Sequence, residues 1–550
     1  MSALWSQRTS SRGIQVSVET VAFRTTVLIV GGGFAGLTAA AGLAAKGVPV
    51  LLAEKHESTS TMPKAWGLAT RTQEVLDQIP GLLAELREAA TPFGQVPRFL
   101  RGRTLAEAAP QRWLNRDGQD TVETLAAISP MGMLGIPQAH TERVLRHRAE
   151  QLGADVRFST TLLDFDQDAD GVTARLCDRD GAEYTVHAEY LIAADGHRSP
   201  ARERLGIPMT GFGHLMSLVG VRFDADLDEW LDPAQLTLCQ LDGEDLGGML
   251  GRQGNVQPSL LAAWDEENRH AVKQWSTEQW TALIRRATGM PDLAVSGIAV
   301  EELTFSHRIA ERSQEGRIFL AGDAAHVMPP TGGMGGNTAI IDGHDLAWRI
   351  ALVHSGQAGR EFLETYQAER LPLGRLVANN QVATMRYRGI PSPEGAGEPL
   401  EFIPLMFGQR AHSSSVLAED EDTSLALDPR EHPGLPGLRA PWVPLADGRS
   451  TLDLFGAEMV LLTGEGGQPW VDAAKQIELA VHRIAPDADF CTAYGISSEG
   501  ASLVRPDGVV VWRCTDAVAG PSTTPSTVLT EVLNRVLRRP RADVHPVLWG

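Results

Sequence analysis

The chain has 550 residues, a formal net charge of −20, 43% hydrophobic and 21% charged residues. That length holds several domains, the composition is ordinary for a globular protein, and the acidic balance excludes a basic nucleic-acid footprint and disfavours an anionic membrane. No apolar run is long enough to span a bilayer, since residues 35–53 are broken by Lys46 and Pro49. Cys177, Cys239, Cys491 and Cys514 form no C-x-x-C pair and no metal-ligand spacing, so we expect free thiols, a reducing cytoplasm and no metal. Residues 1–24 lack a signal-peptide core and read as a flexible lead-in.

Residues 26–30 form a short β-branched run that predicts a buried strand. Gly31-Gly32-Gly33-Phe34-Ala35-Gly36 then fits G-x-G-x-x-G, an Ala/Leu-rich helix runs to Ala45, and a second strand over residues 48–53 ends at Glu54. This is the order of a βαβ dinucleotide-binding unit. Gly31 permits the tight turn, Gly33 lets the backbone approach a pyrophosphate, Gly36 lets the helix pack on the strand, and Glu54 stands where a carboxylate grips ribose hydroxyls. The fingerprint alone does not separate NAD from FAD.

A loop over residues 55–69 follows, then a helix with Thr70 as its cap. Arg71 lies in the first turn, where the helix dipole disfavours a cation, so it reads either as a ligand contact or as a solvated arginine. Residues 93–129 show no long helix, and residues 138–152 are an amphipathic helix stopped by Gly153. A β-meander with Asp-Gly turns leads to a buried strand over 190–194 and the Asp195-Gly196 turn. Residues 211–300 carry short strand-like runs, a helix near 277–287, and Trp230, Trp264, Trp275 and Trp280. We read a mostly β layer that takes a bulky apolar substrate, although each tryptophan taken singly reads as core.

A strand over 316–321 introduces Gly322-Asp323-Ala324-Ala325-His326, the glycine-rich loop 329–338 and a helix over 337–354. A second long helix is expected over 361–387. Residues 391–444, with Pro, Gly and the acids 419–422, read as an extended linker with a mobile loop and a solvated acidic face. Residues 452–550 read as a separate small α/β domain with strands over 459–462, 490–494 and 508–512.

The fingerprint with Glu54, the Asp195-Gly196 turn with Arg198-Ser199, and Gly322-Asp323 with the 329–338 loop together resemble the class A flavoprotein aromatic hydroxylases of the p-hydroxybenzoate hydroxylase fold, from residue 25 onward. The stretches QAHTERVL, AADGHRSPARERLGI, GDAAHVMPPTGGMGGNTAIIDGHDLAW and LVRPDGVVVWR are similar to the aromatic polyketide hydroxylases. The resemblance implies an α/β fold. A Rossmann-type FAD-binding domain would take residues 25–90, 130–206 and 302–390, with an inserted, mostly β substrate domain from 91–129 and 207–301. A linker over 391–444 and a thioredoxin-like domain over 445–550, without a redox dithiol, would complete it.

For FAD the resemblance implies contacts from Gly31, Gly33, Phe34, Ala35, Gly36, Glu54 and Lys55 at the adenosine and pyrophosphate, and from Lys64, Arg71 and Gln138 at the phosphates, ribityl chain and isoalloxazine. Relatives often carry arginine where Lys64 stands, and lysine cannot form the same bidentate fork. Asp195 and Gly196, with Arg198, would face the pyrophosphate and the path of the nicotinamide donor; Gly322 and Asp323 would meet the ribityl hydroxyls. Pro330, Gly333, Gly335, Gly336 and Asn337 would meet the isoalloxazine edge, where the following helix N-terminus stabilises reduced flavin.

The implied reaction is hydroxylation of a polycyclic aromatic polyketide in antibiotic biosynthesis, with NADPH or NADH as transient reductant, O2 as co-substrate and a flavin C4a-hydroperoxide as oxygen donor. No side-chain nucleophile is needed; His326 reads as structural, and Arg222, Arg375 and Tyr387 are candidates to stabilise the substrate phenolate. The alternatives are Baeyer–Villiger or ring-opening oxygenation by the same peroxide, and a flavin-binding scaffold without turnover. We expect a monomer or homodimer.

Overall fold

The computed structural model describes residues 22–60, 65–90, 98–111, 125–243, 246–253, 256–264, 274–388, 390–456, 458–518 and 524–539. The chain opens with β1 (Ala22–Val30), α1 (Phe34–Ala45), β2 (Val50–Glu54), β3 (Gly67–Leu68), α2 (Thr70–Asp77) and α3 (Leu82–Ala90). It continues with β4 (Arg98–Gly102), β5 (Ala109–Pro110), β6 (Leu134–Gly135), α4 (Gln138–Gln151), β7 (Asp155–Phe158), β8 (Thr161–Gln167), β9 (Val172–Cys177), β10 (Glu183–Ala193) and α5 (Pro200–Arg204). The first sheet runs β7–β2–β1–β10, joined beyond β10 by β17 (Ile318–Leu320) and β16 (Gln314–Glu315), with β8 and β9 as an antiparallel flap. β10 shows why: it alternates in burial where it pairs with β9, then is buried without interruption over residues 190–193, between parallel β1 and β17.

The second sheet is built from β11 (Met209–Asp224), β12 (Leu236–Gly243), β13 (Leu246–Gln253), β14 (Ser259–Trp264), β15 (Ser296–Ala310) and β18 (His326–Val327), and β4 and β5 join its far edge. One face packs Val219, Val221, Phe223, Leu100, Cys239, Leu250 and Leu260 against Trp280, Leu283, Ile284 and Ala287 of α6 (Thr277–Thr288). That helix begins with a Ser276/Gln279 capping box and ends at left-handed Gly289. Period-two alternation puts Leu218, Gly220, Leu238, Met249, Leu261, Leu303 and Phe305 on the opposite face.

Two long helices, α7 (Gly335–His354) and α8 (Glu364–Thr384), return the chain to the first domain, followed by α9 (Phe402–Phe407). The C-terminal unit contains β19 (Val460–Thr463), α10 (Gln468–Gln476), β20 (Ala480–Arg483), α11 (Ala488–Tyr494), β21 (Ala501–Val504), β22 (Val510–Cys514) and α12 (Pro525–Val536). Its sheet order is β20–β19–β21–β22, with β19 parallel to β20 and antiparallel to β21.

Several expectations are corrected. Residues 490–494 are helical rather than a strand: Phe490 and Tyr494, four apart, bury one helix face, and left-handed Gly495 ends it. The cap of α2 is Ala69, with Thr70 its first residue. The 391–444 stretch is no free linker: Phe407 and Arg410 are fully buried, and Arg410 bonds Pro436 O, Asp422 O and Asp420. Two of the acids expected to be solvated are paired, Asp420 with Arg410 and Glu419 with Arg513.

Candidate flavin and substrate site

The three separated motifs meet at one place. A Cβ on Gly31 (φ +110°) would sit 2.1 Å from the Ala194 carbonyl, so the first turn lies directly against the Asp195-Gly196 turn. A Cβ on Gly36 would lie 1.9 Å from Gly31 O, which holds α1 tight on its strand. Gly343 of α7 faces the Ala35 carbonyl and Gly42 faces Ala347, so α1 and α7 cross through small residues. Gly322 touches Ala35 and Ala339, which completes the convergence.

Two uncapped helix N-termini point into this junction. The first intrahelical bond of α1 is Leu37 N–H to Gly33 O, leaving the amides of residues 34–36 without helical acceptors, and a Cβ on Gly33 would meet nothing within 4 Å. α7 likewise starts with Thr338 N–H to Met334 O and has no side-chain cap. Phe34 packs on Gly336, joining the two starts. Both ends offer amide donors and positive dipole ends to an anion.

Glu54 accepts Gly32 N–H on Oε2 at 2.6 Å and His56 N–H on Oε1 at 2.8 Å, which fixes its carboxylate at the strand tip. Lys55 is exposed beside it. Asp195 Oδ2 accepts Ala201 N–H at 3.0 Å, while buried Oδ1 accepts no hydrogen bond among the described residues. Burial raises the Asp195 pKa against the opposing pull of Ser199, the Ala201 amide and Arg202. Gly196 (φ +85°) keeps open space in front of it, and exposed Arg198 follows. Asp323 is exposed in the short helical turn Gly322–Ala324.

Other anticipated contacts have different neighbours. Asn337 is buried, accepts Ala69 N–H at 2.8 Å and donates to Gly333 O at 2.9 Å, so its side chain shapes the loop and only its backbone N–H faces the helix mouth. Gln138 accepts Ala65 N–H and donates to Glu142, which holds the 65–68 segment in place. Arg71 is not the solvated arginine of one reading: it donates to Glu74 and to the Asp507 carbonyl of the C-terminal unit, at a domain junction. Pro330 opens an exposed turn that ends at left-handed Gly333 (φ +68°), and Gly335 lies near Met328. Lys64 lies outside the described residues.

The second sheet turns its uncovered face toward this loop. Trp66 stacks edge-on against Phe99 at 5.6 Å, and Gly333 is its neighbour. Phe99 pairs with Leu238, so Trp66 lies on the face opposite α6. A Cβ on Gly220 would lie 3.3 Å from Leu303 and 3.5 Å from Leu261, which places these leucines on the same floor. Arg222 lies on that floor and bonds Glu301 at 3.1 Å. Arg375 is exposed on α8 and adds positive charge near His307. Tyr387 corrects its assignment: it is 56% exposed with its hydroxyl on Glu398, and a phenol open to water and engaged by a carboxylate does not stabilise a buried phenolate.

Sequence reasoning missed two members. Asp342 accepts Gly322 N–H, His326 and Arg370; an acid inside the apolar run AIIDG was its signal. Gln381 accepts the Gly332 amide and Thr331 Oγ1 donates to its carbonyl; nothing in the local pattern of α8 marked it. His326, 3% exposed and bonded to Asp342, is structural.

The FAD binding domain family matches residues 24–381, and the aromatic-ring hydroxylase C-terminal family matches residues 433–540. The chain is 38% identical over 532 residues to aklavinone 12-hydroxylase RdmE of Streptomyces purpurascens, covering 92% of this chain and 99% of that one. It is 36% identical to 4-methyl-5-nitrocatechol 5-monooxygenase of a Burkholderia species, covering 93% and 97%. A crystal structure of aklavinone-11 hydroxylase with FAD and aklavinone superposes with a TM-score of 0.86 at 36% identity, over 94% of this chain and 99% of that one. No helix among the described residues is long and apolar enough to cross a membrane. The chain therefore belongs to the FAD-dependent aromatic-ring hydroxylases and is a flavin monooxygenase of that family.

Proposed function

We propose that this enzyme hydroxylates a polycyclic aromatic polyketide, with NADPH or NADH as reductant, in antibiotic biosynthesis. The observation that carries the reading is the floor: Leu218, Leu238, Met249, Leu261, Leu303 and Phe305 share one broad apolar face, relieved by Gly220 and facing the loop that begins α7. A planar, multi-ring arene matches such a surface better than a single small ring does, by apolar area alone.

The residues present fit FAD. The α1 N-terminus and open Gly33 would take the pyrophosphate, Glu54 the adenosine ribose, Asp323 the ribityl hydroxyls, and the α7 amides the isoalloxazine edge. The unpartnered Asp195 oxygen is a buried acceptor awaiting a donor. Bound flavin supplies the oxygen-activating redox chemistry. The chain's own work is to orient and dry the ring: the floor excludes water, Trp66 and Phe99 close one side, and Arg222 and Arg375 offer positive charge to a developing phenolate.

The C-terminal unit supports a thioredoxin-like reading without redox function. Its β19–α10–β20 half is parallel, its β21–β22–α12 half antiparallel, and burial pushes the Cys491 thiol up to about 11.

The test is direct. Purified protein should be yellow with FAD, and NAD(P)H oxidation should be stimulated by anthraquinones or tetracyclic phenols more than by catechols, with one oxygen atom added to the product. Stimulation by single-ring catechols alone would overturn the polyketide reading, and ring insertion or cleavage products would replace hydroxylation.

A further inference from the structure

The C-terminal unit packs on the flavin-binding domain through an apolar cluster that includes Trp348, Phe362, Leu461 and Leu533, and through a tight turn, Arg505-Pro506-Asp507-Gly508, between β21 and β22. Arg505 is 2% exposed and Asp507 8%. The turn closes on itself through Gly508 N–H to Arg505 O, left-handed Gly508 (φ +76°), and an Asp507 carboxylate that bonds the Arg505 guanidinium.

Three helices that end on the flavin loop are anchored on this turn. In α2, Arg71 donates to the Asp507 carbonyl, and Ala69, immediately before the helix, donates to Asn337 of the loop. In α8, Glu369 accepts Arg505 at 2.7 Å, and Gln381, three turns on, accepts the Gly332 amide. In α7, whose own first turn is part of the flavin mouth, Arg349 bonds the same Glu369 at 2.6 Å and Asp345 at 2.8 Å. A second clamp joins Arg439, bridged to Val509, to Glu74 of α2 at 2.6 Å. The charged groups of this network are nearly all buried, and they carry a desolvation penalty that the apolar cluster beside them does not.

We infer that the Arg505–Gly508 turn sets the position of the flavin-end loop, residues 331–337, by holding α2 at its first turn and, through Glu369, α7 and α8 at points away from the loop. Arg505 is thus a positioning residue rather than a catalytic one, and the C-terminal unit braces the cofactor site. This rests on the reading that the 331–337 loop receives the isoalloxazine.

The experiment uses the full-length protein. Arg505→Gln removes the turn's grip on Glu369, and Arg71→Met removes the α2 clasp and the Arg71–Glu74 pair while leaving Arg505 on Glu369. Arg505→Lys keeps the charge, and Arg513→Gln breaks a half-buried pair with Glu419, away from the Arg505–Gly508 turn, as a control. The readouts are the FAD dissociation constant and amide hydrogen exchange of residues 331–338 in the flavin-free protein. We expect Arg505→Gln and Arg71→Met, folded by circular dichroism, to weaken FAD at least tenfold and to speed exchange in that segment. Arg505→Lys should recover most of the loss, and Arg513→Gln should match wild type. If Arg505→Gln does not fold, Arg71→Met decides alone. Wild-type exchange and affinity in the folded variants would overturn the inference, whereas a wild-type protein that never takes up FAD would instead overturn the flavin reading.

Discussion

The carboxylate of Asp342 accepts the backbone N–H of Gly322 at 3.0 Å, across twenty residues of sequence. The same oxygen holds His326 at 2.6 Å and the other holds Arg370 at 2.9 Å. One buried acid thus fixes the left-handed turn that presents Asp323. Burial works to raise the Asp342 pKa, but His326 and Arg370 outweigh it and hold the carboxyl below its usual range. Asp342→Asn should destabilise the protein by about 3–5 kcal/mol, because Arg370 loses its buried counter-charge. Urea unfolding measures this, and an effect below about 1 kcal/mol would contradict a supporting role.

Gly33 and Gly36 separate ligand space from packing. Gly33 has an ordinary negative φ and open surroundings, so Gly33→Ala should leave flavin-free stability within about 0.5 kcal/mol while weakening FAD tenfold or more. Gly36→Ala must push against the Gly31 carbonyl and should lower stability as well as FAD retention. Isothermal titration with FAD and thermal unfolding, run on both variants, distinguish the two glycines; equal behaviour would refute the assignment.

Acid sensitivity should begin well above the carboxylate range. His344 in α7 is buried, and burial lowers its pKa from 6.5 to about 3. Between those values the unfolded chain binds a proton that the folded chain refuses, so stability falls as pH drops through that window, by up to about 1.4 kcal/mol per pH unit. His344→Gln should flatten the change in Tm between pH 6.5 and pH 4. An unchanged slope would mean that other groups dominate.

The floor predicts a specificity variant. Gly220→Leu fills the space between Leu261 and Leu303 without facing the α6 core. FAD affinity should stay as in wild type, while the KM for a tetracyclic substrate rises about 10–200-fold. Steady-state kinetics with the tetracycle beside a single-ring phenol checks this; equal changes for both would show that the floor does not select by size.

Much of the proposed pyrophosphate and ribose cradle was readable because its chemistry demands particular residue types at fixed spacing. Gly31, Gly33, Gly36 and Glu54 follow from the needs of a phosphate, a ribose and a close helix–strand contact, and the structure sets Gly31 against the Asp195 turn, Gly36 on Gly31 and Glu54 on the Gly32 amide. The protein partners of Arg71 and Asn337 were not readable, because a polar side chain near a ligand motif looks the same whether it faces a ligand, the loop behind it or both. Their partners, Asp507 and Ala69, lie far away in sequence or on the backbone. Residues 490–494 failed because a five-residue apolar run carries too little periodicity to separate strand from helix. The buried charges joining α7, α8 and the C-terminal turn left no local sign, since each residue alone resembles a surface ion.

The two faces of the second sheet carry an evolutionary consequence. Along β11 the residues that hold α6 in place, Val219, Val221 and Phe223, alternate with Leu218, Gly220 and Arg222 on the opposite face. Selection can therefore vary every second residue for a new substrate while the intervening ones keep the domain folded. A library confined to positions 218, 220, 238, 249, 261 and 303 should yield far more folded, substrate-altered clones than an equal library at 219, 221, 223, 239, 250 and 260.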